Sequence, residues 1–197
     1  MIDALAPALA ALPKGLGAAA KAARAGADAT ARMKLARAGR SSYVASKHLA
    51  GVTDPAKALD ILDVGTGSGI LALAARALGA GRALGLDYDP DAIKSADENL
   101  PLNPYLDHVS FSVFDLTQQT LPTADVVTAN LTGALLCRTA PLLVDAVAAG
   151  GTLILSGILD VERDAVVEAF RILPLASEAH EDEWVALTFN RTSSHEV

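Results

Sequence analysis

The 197 residues predict a doubly wound α/β fold, a mostly parallel seven-stranded sheet flanked by helices and preceded by a short helical N-terminal extension. Three observations carry that expectation. From residue 58 onward, short apolar and β-branched runs alternate with helical segments, the order that parallel neighbours need for their crossover connections. Runs such as Val126-Val127 and Leu153 to Leu155 are continuous rather than alternating, as in strands buried on both faces. Residues 1–57 are instead rich in alanine and broken by Pro7, Pro13, Gly15, Gly17, Gly26 and Gly39, which reads as short helices joined by loops. The expected division is a helical extension or lid over 1–57 and an α/β domain over 58–197.

Taken in order, 58–64 reads as a buried strand, 68–78 as a helix closed by Gly79, and 82–86 as a second strand. A helix over 90–99 follows, with a proline suited to its first turn. Strands are expected at 108–113 and 124–129, a helix at about 133–148, and a strand at 152–155 behind the Gly150-Gly151 turn. A helix at about 161–170 leads to two last strands, 172–175 and 184–189.

Composition excludes several classes. Apolar residues make up 51% of the chain, yet Arg76, Asp87, Arg138 and Asp145 interrupt every apolar stretch before it reaches the roughly 18 residues of a membrane helix. The opening Met-Ile-Asp-Ala-Leu-Ala-Pro carries an acid where an export signal carries bases, so a cytoplasmic location is expected. Cys137 is the sole cysteine, which rules out an internal disulfide and a thiolate cluster and suits a small buried hydrophobe. His48, His108, His180 and His195 are scattered, and no metal site is expected. Residues 1–50 balance to +6 and the remaining 147 to −13. A basic arm suits an acidic partner, RNA or a ribosomal surface, although Lys21, Arg24, Asp28 and Arg32 are also spaced for the solvated stripe of a helix.

The chemistry concentrates after the first strand, in Asp63-Val64-Gly65-Thr66-Gly67-Ser68-Gly69. In open α/β sheets ligands bind beyond the carboxyl ends of the strands, and glycine lets a ligand lie directly on the main chain. A dinucleotide fingerprint starting at Gly65 would need glycine at 70, where the chain has Ile70, and no Gly-Lys-Ser/Thr follows as in a P-loop. Eighteen residues past Gly69, at the end of the second strand, stands Asp87, whose carboxylate can accept from both hydroxyls of a ribose. A helix-capping role fits Asp89, just before Pro90, better. Asp115 follows the third strand, and Asn130, in Thr-Ala-Asn-Leu-Thr-Gly, follows the fourth; each also fits as a turn or helix cap.

The glycines at 65, 67 and 69 after an acid resemble motif I of the class I S-adenosylmethionine-dependent methyltransferases, which implies a Rossmann-like methyltransferase fold. The resemblance implies that Asp63, Gly65, Thr66, Gly67 and Gly69 form the cofactor loop and that Asp87 and Tyr88 meet the adenosine. It further implies that Asp115 accepts from the adenine amino group beside Leu116, and that Asn130, next to the methyl group, is also one of the cofactor-binding residues. Leu-Asp-Val-Gly-Thr-Gly-Ser-Gly-Ile-Leu, Gly-Leu-Asp-Tyr-Asp-Pro-Asp-Ala, Asp-Val-Val-Thr-Ala-Asn-Leu, Leu-Ser-Gly-Ile-Leu and Glu-Trp-Val-Ala-Leu resemble, in order, segments of the PrmA branch. Those enzymes methylate amino groups of ribosomal stalk-base protein eleven. About 57 residues precede the first strand, fewer than the substrate-recognition domain and linker of that branch. Its Gly-Thr-Gly-x-His-x-Thr-Thr segment is replaced by Arg-Ser-Ser-Tyr-Val-Ala-Ser-Lys-His, where Tyr43, Ser46 and Lys47 suit either a lid or a helix start.

The expected function is thus methyl transfer from S-adenosylmethionine to an amino nitrogen of a protein, with Asn130 orienting the amine. Asn130-Leu131-Thr132-Gly133 in place of Asn-Pro-Pro-Tyr disfavours planar amide or adenine nitrogens. The alternatives are a small-molecule or RNA methyltransferase, a non-catalytic binder of the same cofactor, and a nicotinamide-dependent oxidoreductase.

Overall fold

The computed structural model describes residues 45, 48–53, 56–116 and 118–193. The expectations placed on 1–44, among them the basic arm and Tyr43, and those on Ser46 and Lys47 lie outside the described residues. The body runs β1 (Asp60–Val64), α1 (Ile70–Ala77), β2 (Arg82–Asp87), α2 (Pro90–Asn99), β3 (Val109–Val113), β4 (Ala124–Asn130), α3 (Gly133–Ala146), β5 (Val147–Leu159), α4 (Arg163–Ala169), β6 (Leu175–Glu181) and β7 (Trp184–Asn190). The strands form one seven-stranded sheet in the order β3-β2-β1-β4-β5-β7-β6. β7 runs antiparallel to both neighbours, β5 and β6, while the pairs from β3 to β5 are parallel. The expected fold class holds.

Successive residues of the central strands point to opposite faces, so each apolar run feeds two cores. Leu62, Val127, Leu153 and Leu155 pack with Leu136 and Leu143 of α3, with Val166 of α4 and with Phe170 at its end. Their neighbours Ile61, Val126 and Ile154 pack on the other face with Leu71, Ala72 and Ala75 of α1. Ala45 and Leu49 are buried in that second core, and the side chains of His48 and Thr188 hydrogen-bond there, tying the helical segment ahead of β1 to β7.

Several elements depart from expectation, β1 among them, which begins at Asp60 rather than 58. α1 begins at Ile70, not 68, because Gly69 sits in the left-handed region at φ 83° and belongs to the loop. β5 runs from Val147, not 152, to Leu159, taking in Gly150 and Gly151 rather than following a turn there, with Gly157 at φ 79° where its register with β7 shifts. β6 occupies Leu175–Glu181 rather than 172–175. Residues 171–173 instead close the end of α4, where Arg171 N–H donates to Glu168 O and Leu173 N–H to Phe170 O, and Pro174 has no N–H to offer a ladder. The true strand is Leu-Ala-Ser-Glu-Ala-His-Glu, an exposed edge paired only with β7, so no apolar alternation announces it. Glu178 on this edge pairs with Arg163 at 2.6 Å and His180 with Asp160 at 3.0 Å, which fasten it to the start of α4.

The two faces are also covered unequally. Among the described residues of the connection from β3 to β4 there is no helix, so Ser110 and Ser112 stand exposed. A cavity of about 370 Å³ opens there at the amino ends of the strands, lined by Asp60, Arg82, Leu84, Ser110 and Pro122. No helix of the described residues is long and apolar enough to cross a membrane.

Candidate active site at the carboxyl ends of the strands

The sequence-marked groups meet at the other end of the sheet. Asp115, Asp87, the 65–69 loop and Asn130 follow the carboxyl ends of β3, β2, β1 and β4, which are consecutive in the sheet. With neighbouring strands about 4.8 Å apart, the row spans roughly 14 Å, the scale of a nucleoside with an extended side chain.

The loop is held on two sides. Gly65 and Thr66 both donate their N–H to Leu86 O, at 2.8 and 2.9 Å, which ties the turn to the last residues of β2. From below, Asp63 accepts from the hydroxyls of Thr66 and Thr128, both at 2.6 Å. Asp63 is only 1% exposed, and burial pushes its carboxyl above the ordinary carboxylate range although the two hydroxyl bonds pull the other way. Its place is beneath the loop, joining β1 to β4.

That burial has a consequence for pH. An acid whose pKa is raised by folding leaves the native state holding more protons than the unfolded chain, so its contribution to stability falls as pH rises from 3.8 through the folded pKa. The stability difference between wild type and Asp63→Asn, followed by urea unfolding, is therefore expected to shift against wild type over that window. A difference that does not move with pH would contradict it.

On the open side stands Gly67, at φ 54°, where an added Cβ would meet nothing within 4 Å. Its N–H donates to Asp87 Oδ2 at 2.8 Å, while Asp87 Oδ1 accepts from Asp89 N–H at 3.0 Å. Each oxygen keeps lone-pair capacity for a further donor. Asp89 caps α2 by accepting from Asp91 N–H at 2.9 Å, so the two acids divide as expected. Tyr88 between them is 75% exposed and covers no part of the core.

Gly69 contrasts with Gly67: its Cβ would lie 2.6 Å from the ring of Phe111 and 3.1 Å from Ala96 Cβ, at φ 83°. Left-handed strain alone is about 1–2 kcal/mol and overpacking adds about 1–3. Gly69→Ala is expected to cost about 3 kcal/mol of stability in urea unfolding, and Gly67→Ala about 1 kcal/mol. The second substitution is expected to act mainly on whatever lies against the loop.

At the far ends of the row, Asp115 accepts from Gln118 Nε2 at 3.0 Å, and Phe114 N–H donates to Asp87 O at 2.8 Å, which sets β3's exit beside Asp87. Leu116 is half-buried against the core. Asn130 ends β4 and faces the bulge of β5, where a Cβ on Gly157 would stand 2.9 Å from Asn130 Oδ1. Leu131 N–H donates to Ser156 O at 3.1 Å.

Sequence reasoning missed the supports. Thr128 was signalled by a hydroxyl directly after Val126-Val127 in the fourth strand, and Phe111 only by an aromatic side chain inside Val-Ser-Phe-Ser-Val. Phe111 is packed where a Cβ on Gly69 or on Gly85 would collide with it. Among the described residues, no group of three or more His, Cys, Asp or Glu is placed to hold a metal ion.

The 3-2-1-4-5-7-6 sheet, a glycine loop after β1 and an acid closing β2 together define a methyltransferase-type α/β domain. The family model "Ribosomal protein L11 methyltransferase (PrmA)" matches residues 47–192, and the chain belongs to that family. Relatives named ribosomal protein L11 methyltransferase include one from Pelobacter propionicus, 44% identical over 137 residues, which cover 68% of this chain and 43% of that protein. Another, from Geotalea uraniireducens, is 44% identical over 149 residues, or 75% of this chain and 45% of that one. The chain spans under half the length of these relatives. The crystal structure of a ribosomal protein L11 methylase from Lactobacillus delbrueckii subsp. bulgaricus superposes with a TM-score of 0.71 at 26% identity, over 78% of this chain and 79% of that one. An RNA methyltransferase from Salinibacter ruber, solved with S-adenosyl-L-homocysteine, shares the fold at TM-score 0.60 and 20% identity, over 77% of this chain and 92% of that one.

Proposed function

We propose that the chain binds S-adenosylmethionine along the row from Asp115 to Asn130 and directs its methyl group to an amino nitrogen of a protein. The observation that carries the reading is the join between Gly67 and Asp87: a carboxylate bonded to the loop, beside main chain on which a Cβ would meet nothing. The residues fit the group. Gly67 offers bare backbone, whereas Gly65 lies against the Leu131 side chain and Gly69 against Phe111 and shape the loop from within; Asp87 offers acceptors for the two ribose hydroxyls, Asp115 with Leu116 a place for the adenine, and Tyr88 an exposed ring beside it. Asp63 and Thr66 act from underneath by holding the loop in shape.

When bound, the cofactor supplies a methyl group already activated on a sulfonium, so little acid–base machinery is required of the protein. The chain's own task is alignment and exclusion of water, and positioning of this kind is worth about 7–11 kcal/mol. Asn130 is the group assigned to hold the amine, and desolvation at the mouth of the cleft favours the neutral, nucleophilic form. Residues 58–197 would carry this machinery and 1–57 would serve as extension or lid.

The names of the relatives support ribosomal protein L11 as the acceptor, which would place the chain in the cytoplasm. Calorimetry with S-adenosylmethionine and with NAD, followed by transfer of radiolabelled methyl to purified L11, tests both halves. Binding of NAD in preference, or binding without transfer to any protein, would contradict the reading.

A further inference from the structure

We infer that Glu162 is the acceptor-side recognition group of this cleft, a carboxylate that receives the cationic amine of the substrate next to Asn130. The inference rests on the proposed transfer reaction and names the residue that would favour a cationic amine over a nucleic-acid base. Two close approaches carry it. The stretch Asn130 to Gly133 has Asn130 at one end, against Gly157 of β5, where a Cβ would stand 2.9 Å from Asn130 Oδ1. At its other end a Cβ on Gly133 would stand 2.8 Å from Glu162 Cδ and 2.9 Å from Oε2. Asn130 and Glu162 therefore flank one short loop at the carboxyl ends of β4 and β5, beyond the glycine loop and Asp87.

The carboxylate is only partly used by the protein. Oε2 accepts from Leu159 N–H at 3.1 Å, and among the described residues no Lys, Arg or His pairs with the side chain. Glu162 is half-buried between the exposed Asp160, Val161 and Asp164, and a half-buried charge is screened less than one on open surface. A capping role accounts for Oε2 and leaves Oε1 over. An amine arrives as ammonium, sheds a proton to water before it can react, and is cationic again once methylated; a neighbouring carboxylate attracts the cationic forms and repels the phosphates of an RNA.

Gln is the informative replacement, because its amide oxygen can still accept from Leu159 N–H while the charge is gone. With purified ribosomal protein L11 and radiolabelled S-adenosylmethionine, Glu162→Gln is expected to raise KM for L11 about tenfold. That is the order expected for one charge-assisted hydrogen bond lost, while kcat, cofactor affinity and Tm are expected to stay within twofold or 2 °C of wild type because the acceptor for Leu159 N–H is kept. Glu162→Ala, which also removes the acceptor of the Leu159 N–H, is expected to show the same KM and a lower Tm. An unchanged KM in Glu162→Gln would reduce Glu162 to a cap and overturn the inference. So would methylation of ribosomal RNA in preference to L11 by wild type, or cofactor binding by wild type with no transfer to L11; these leave the cofactor reading standing. Failure of wild type to bind S-adenosylmethionine in calorimetry would instead overturn that reading and this one with it.

Discussion

Replacement of Asp87 with alanine is expected to weaken S-adenosylmethionine binding about a hundredfold, roughly 2.7 kcal/mol. Hydrogen bonds to a charged group contribute about 1.5–3 kcal/mol each, and this carboxylate is assigned two ribose hydroxyls. It also holds Gly67 N–H at 2.8 Å, so its loss loosens the loop on which the ligand would lie. Asp87→Asn keeps one acceptor and should lose about tenfold. Because Asp89 caps α2 independently through Asp91 N–H, neither variant should unravel that helix. Titration calorimetry, with Asp89→Ala as the control that lowers stability but leaves affinity nearly unchanged, checks the division. A dissociation constant for Asp87→Ala within twofold of wild type would remove the ribose assignment.

Asn130→Ala is expected to lower kcat about a hundredfold while leaving cofactor affinity within twofold, since a misplacement of about 1 Å in an aligned reaction costs on that order. The side chain ends β4 beside Gly157, so its removal opens space at the mouth of the cleft without touching the Gly67–Asp87 join. Single-turnover transfer to L11 separates the two quantities. Parallel loss of binding and rate would assign Asn130 to holding the cofactor rather than the amine.

Much of this was legible in the residues themselves. β1, β2 and β4 are short apolar runs with no other home than the middle of a sheet, and Asp89-Pro90 marks the start of α2 to the residue. The spacing 65, 67, 69 located the loop, yet not its extent: whether Ser68 and Gly69 begin the helix depends on a left-handed φ at Gly69 that packing against Phe111 requires. β6 escaped because an exposed edge strand buries no alternate residue and its Ser, Glu and His read as a loop. Asp63 carried the same signal as Asp87, an acid at a strand end. Only the pairing of β1 with β4, which sets Thr128 opposite Asp63, shows that one acid lies under the loop and the other beside its open face. The approach of Glu162 to Gly133 is likewise invisible in one dimension, since it depends on β5 running on to Leu159.

The most direct test is a crystal structure of the chain grown with S-adenosylhomocysteine. The expected result is the ribose within hydrogen-bonding distance of Asp87, the main chain at Gly67 in contact with the ligand, and its sulfur turned toward Asn130. A ligand seated instead in the cavity between Asp60 and Pro122, or a nucleoside whose sugar meets neither carboxylate oxygen of Asp87, would contradict it.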